Sequence, residues 1–181
     1  MLLSLWLPIV LSGVALFFAS FLSWMVLQLH KQDWLKMPDE DAFIQAVRDG
    51  RLVRGQSYMF PTAGSPEEMK SPALQEKMKT GPCGVITVFD GHNMGRNLGL
   101  TLVAFLVSSF CLAYLGTIAL KPGEDFLTVF RFFATAGLLT FLTAIVQHSI
   151  WFQNRIVGHV IESIGYALIV GLIFAQFWPQ A

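Results

Sequence analysis

Charge is what this chain has least of. Asp, Glu, Lys and Arg supply 13% of its 181 residues, about half the share of an ordinary soluble domain. From Leu2 to Leu29 there is no charged side chain at all. Cysteine is nearly absent too. Cys83 lies in a polar segment and Cys111 in an apolar run, with no CxxC or cysteine-based zinc spacing, which excludes a disulfide framework. Reaction signatures are missing as well. There is no GxSxG, P-loop, dinucleotide fingerprint or HExxH, so enzymatic activity is not expected. The formal net charge is zero, which points to no polyanionic partner. The basic residues are balanced by acids and have few aromatics among them, which argues against nucleic acid.

Apolar surface is what remains. The chain is 54% hydrophobic with a mean hydropathy of +0.57. A small soluble domain buries only about 70% of its surface and could not hide so much. The solvent for much of this chain is therefore lipid. Four apolar runs are long enough to span it, each near the ~20 residues a bilayer needs: residues 2–29, 98–120, 126–147 and 158–178. The first is read as a retained anchor, because a cleaved signal would have a basic start and a shorter core. Trp6 and Trp24 are spaced to reach the two interfaces of that span. The connectors after the second and third spans are short, so spans two to four run up, down and up.

Residues 30–97 differ in character. Nine of the twelve basic residues lie there: Lys31, Lys36, Arg48, Arg51, Arg54, Lys70, Lys77, Lys79 and Arg96. Asp39-Glu40-Asp41 opens an amphipathic helix through Val47, with Phe43, Ile44 and Val47 on its apolar face. Ser65-Pro66-Glu67-Glu68 is a capping box, and Pro72 interrupts the helix that follows it. Gly84 to Phe89 is β-like and can pair with Leu52 to Phe60. The expected fold is an all-α membrane protein of four transmembrane helices with a small cytoplasmic α+β insert between helices 1 and 2. The insert's thin core should make it lean on the membrane surface or a partner. The basic excess places 30–97 in the cytoplasm and both termini outside.

Tyr58-Met59-Phe60-Pro61, Gly81-Pro82-Cys83-Gly84 and Asn93-Met94-Gly95 together resemble small multi-pass bacterial membrane proteins that carry no assigned function. The resemblance runs from about Tyr58 to the end. It implies the cell inner membrane and supplies no catalytic residue.

Small residues form two ridges at helical spacing. Ala15, Ala19 and Ser23 line the first span, and Ser163, Ala167, Gly171 and Ala175 line the fourth. Such ridges let helices approach closely. Ser108, Ser109 and Cys111 fit interhelical packing and hydrogen bonding better than nucleophilic catalysis. Charges inside spans are costly, about 2.5–3.5 kcal/mol at mid-helix. Arg131 lies about 7 Å inside the third span; it can snorkel towards Glu124 or Asp125, or meet a lipid headgroup or another anion. Glu162 should lie level with about Thr143, too far from Arg131 to pair, with His159, Arg155, Gln147 and His148 nearer.

His30, His92, His148 and His159 each fall at or near the cytoplasmic end of a different span. A metal site from His148, His159 and Glu162 is one expectation, since imidazole and carboxylate suit zinc, iron or manganese; haem on two imidazoles is another. His159-x-x-Glu162 is read as a lone pair with no second copy. Three functions stay open. The leading one is a non-enzymatic accessory or structural subunit, or a scaffold, in a larger membrane assembly. Its partners are the lipid bilayer and other membrane subunits or itself. The alternatives are a metal- or haem-binding redox protein and a small proton-coupled transporter.

Overall fold

The structure, a computed structural model, describes residues 1–91 and 93–180. The expectation for His92 lies outside the described residues. Two compact units emerge: Met1–Leu35 with Asn93–Ala181, and Lys36–His92.

The first unit is a helical bundle. Helix α1 (Trp6–Phe21) is preceded by a 3-10 turn (Leu2–Leu5) and followed by a π-helical turn (Leu22–Val26). After the insert come α5 (Met94–Ala119), α6 (Phe126–Phe152) and α7 (Val157–Gln176). Among the described residues, four segments are long and apolar enough to cross a membrane: Leu2–Val26, Met94–Ala119, Phe126–Phe152 and Val157–Gln176. Two boundaries differ from expectation. Helix α5 starts at Met94 rather than residue 98, because the Asn93 side chain accepts from the Arg96 amide at 3.0 Å and caps the helix there. Helix α6 runs on to Phe152 and stops where Gln153 turns left-handed.

Helices α6 and α7 form the tightest pair, and α1 lies between α5 and α7. The first span thus packs in the same bundle as the other three. Helices α5 and α6 touch little, although a short turn joins them. The α7 ridge of Ser163, Ala167, Gly171 and Ala175 is buried, and it faces helices of its own chain. A Cβ on Gly171 would meet the Phe130 ring at 3.0 Å and Ala134 at 3.1 Å, and one on Gly137 would meet the Ala167 backbone at 3.3 Å. Ser163 Oγ donates to the Phe141 carbonyl at 3.2 Å. On α1 the buried stripe is Pro8, Ser12, Gly13 and Leu16, continued by Ser23. Ala15 and Ala19 are half-buried beside it. Ser109 is buried in α5, yet its hydroxyl has no hydrogen-bond partner. It therefore serves as a small volume, not as the interhelical hydrogen bond expected of it. Phe133, Phe174 and Trp178 fill the core at one end. Trp178 Nε1 donates to the Lys121 carbonyl at 2.9 Å, tying the chain's end to the α5–α6 turn.

The second unit contains α2 (Glu40–Asp49), β1 (Gln56–Phe60), α3 (Pro66–Met69), α4 (Pro72–Thr80) and β2 (Gly84–Val88). Its helices start on side-chain caps from Asp39, Ser65 and Ser71. Glu68 Oε2 reaches back to the Gly64 amide at 2.7 Å, one residue earlier than a standard capping box. The strands are antiparallel, in register from Gln56↔Val88 to Phe60↔Gly84. Among the described residues, Leu74 is this unit's single buried apolar side chain.

Candidate functional site

The unusual chemistry gathers where the end of the first span meets the start of α7. The helix does not simply stop at Phe21. Its next turn widens, with the Leu27 amide bonding back to the Leu22 carbonyl at 2.8 Å and Leu29 to Ser23 at 3.1 Å. Such π turns recur at functional sites. Gln28 then takes φ 50°, and the chain folds back on itself. The following turn, closed by the Asp33 amide on the His30 carbonyl at 3.0 Å, tucks His30 under Trp24. Their rings stack with centroids 4.1 Å apart at 17°. Gly158 makes the crossing possible, because a Cβ there would lie 2.9 Å from both the Leu29 carbonyl and His30 Cε1.

His30 is 3% exposed. Its Nδ1 lies 2.7 Å from Asp33 Oδ2. An ionised carboxylate only accepts, so that nitrogen carries the proton. The other nitrogen, Nε2, lies 3.1 Å from Glu162 Oε2 but is not aligned with it, and has no hydrogen-bond partner. His159 Nδ1 lies 3.8 Å from the same Glu162 oxygen, beyond hydrogen-bond range. The two imidazole centroids are 4.4 Å apart, which leaves no room for a haem plane between them. Glu162 Oε1 accepts from the Tyr166 hydroxyl at 3.1 Å. Donor atoms of His30, Asp33 and His159 fall within 4.8 Å of one another. A cleft bounded by Gln32, Asp33, Arg155 and Gly158 lies beside the cluster and touches it at Asp33. Arg155 bridges it to Gln32 Oε1 at 2.7 Å.

Of the residues expected to bind metal, His159 and Glu162 sit in this cluster. His148 does not join it among the described contacts; it is exposed on α6, with its ring 4.5 Å from that of Phe152. Arg131 is also exposed. The Ser163–Phe141 bond puts Glu162 near Phe141, ten residues or about 15 Å from Arg131 along α6. Asp125, one acid considered for Arg131, accepts from the Thr128 hydroxyl at 2.6 Å instead. His30 appeared in the sequence as one of four end-of-span histidines, but Asp33 was not singled out. The available signal was spacing. His30-x-x-Asp33 repeats His159-x-x-Glu162, so the His-x-x-acid pair does have a second copy.

No protein-family model, curated protein or solved structure matches this chain.

Proposed function

We propose that this protein is a non-enzymatic accessory or structural subunit of a larger membrane assembly, acting as a multi-pass anchor and docking platform. The supporting observation is the imbalance of the insert. Among its described residues it buries Leu74 alone, while Phe43, Ile44, Met59, Phe60 and Val85 stay 39–54% exposed. A unit with so little core gains stability by laying those side chains against a further surface. Phe43 and Ile44 give α2 an apolar face of the kind that docks in a partner's groove. The basic excess of residues 30–97 supports reading the insert as cytoplasmic, at an inner membrane, with both termini outside.

Native mass after extraction in mild detergent tests this. A particle heavier than one chain with its detergent, containing a second membrane protein or further copies, is the expected result. Phe43→Asp should lower the assembled fraction severalfold. A wild-type protein that runs as a lone monomer overturns the reading.

A further inference from the structure

The geometry points to a divalent transition-metal site, with zinc the best-fitting ion, held by His30 Nε2, His159 Nδ1 and Glu162 Oε2. This inference stands apart from the docking role above. The distances from Glu162 Oε2 to the two imidazole nitrogens are its first support. Bonds of about 2.0–2.1 Å to a tetrahedral zinc put neighbouring donors about 3.3 Å apart. Here Glu162 Oε2 lies 3.1 Å from His30 Nε2 and 3.8 Å from His159 Nδ1. These lengths bracket a ligand–ligand edge, and the first lacks hydrogen-bond alignment while the second exceeds hydrogen-bond reach.

The second support is the orphaned nitrogen. With Nδ1 turned to Asp33, Nε2 is the ring nitrogen that His30 turns to Glu162. That atom is buried and makes no hydrogen bond, with Glu162 Oε2 3.1 Å away but out of line with it, and a buried polar atom left without a hydrogen bond is unfavourable. A cation at this point would satisfy it.

The third is the shell behind the ligands. The 2.7 Å contact from His30 Nδ1 to Asp33 is too short for a ligand edge and suits the carboxylate–histidine–metal arrangement that fixes a ligand's tautomer. Tyr166 holds the far oxygen of Glu162 in the same manner. Three protein ligands leave a fourth position open to water or another small donor. An ion here would also join the end of the first span to the start of the last.

Elemental analysis and reloading test this on the full-length protein in mild detergent. After chelation, Zn2+ or Co2+ should return to one ion per chain, and Co2+ should give visible ligand-field absorption. Glu162→Gln and His159→Ala should each weaken uptake by more than tenfold. Asp33→Asn, which leaves all three ligands in place, should weaken it by roughly 10–100-fold. His148→Ala should load like the wild type. A wild-type protein that takes up neither ion, or uptake unchanged in all of the His159, Glu162 and Asp33 variants, overturns the site.

Discussion

At the end of the bundle where α5 turns into α6, the helices are closed by aromatic rings. Phe133 and Phe174 stack with centroids 4.1 Å apart, and Trp178 lies 5.6 Å from Phe133. At the other end, the end of the first span and the start of α7 close over two imidazoles and two carboxylates. Aromatic packing needs no ligand, because its contacts are complete once the rings meet. A buried His–carboxylate group is different, since charge removed from water is repaid only by close, well-directed partners. Those partners are incomplete here. The aromatic end is therefore sufficient as a fastening, and the polar end calls for a reason beyond fastening.

Cutting into the aromatic end should have the largest effect on stability. Phe133 is fully buried against Phe174 and Trp178. Phe133→Ala should cost about 3–5 kcal/mol on the scale of buried aromatic deletions. A lower melting temperature in detergent with Co2+ loading unchanged would keep the two ends independent. Loss of both would join them.

A smaller effect is expected where Gly158 lets the polar end close. The methyl of Gly158→Ala would press on a backbone carbonyl at 2.9 Å, which cannot swing aside as a side chain can. Overpacking of this kind costs roughly 1–3 kcal/mol. Because the displaced segment carries His30, metal uptake should fall more steeply than thermal stability. Equal losses would mean that the crossing serves packing alone.

These two ends were not equally legible in the sequence. Four apolar runs and a polar insert follow from composition, and the α7 ridge from four-residue spacing, because both depend on local pattern. The caps at Asp39, Ser65 and Asn93 are local signals too. His30 meets Glu162 across 132 positions of sequence, and no periodicity encodes that meeting. It depends on a π turn at Leu22–Val26 and a left-handed Gln28, neither of which has a composition signature. His148 looked equivalent to His30 because it too ends a span. The extension of α6 to Phe152 leaves it on an exposed helical face instead. The ridge itself was legible while its partner was not. Spacing shows that a helix approaches, and only the fold shows that α6 of the same chain is the one.

The smallest expected effect lies back at the aromatic end, outside the span, where α6 begins. Asp125 accepts from the Thr128 hydroxyl at 2.6 Å and from the Leu127 and Thr128 amides at 3.0 and 3.2 Å. The Thr128 hydroxyl, then its amide, hold the Asp125 carboxyl below its ordinary value of 3.8. A depressed carboxylate stabilises the folded state above its unfolded pKa, and that contribution is lost as pH falls through the folded value. The melting-temperature difference between wild type and Asp125→Ala should therefore hold steady near neutrality. It should shrink only below about pH 4, as the unfolded carboxyl begins to protonate. Asp125→Asn keeps a side-chain oxygen for the cap, so it should lie between the two with no acid dependence of its own. If the aromatic end is fastened by packing, these shifts stay small at every pH and metal loading does not move with them. A large acid-dependent loss at Asp125 would mean that this end also relies on charge, and the contrast between the two closures would fail.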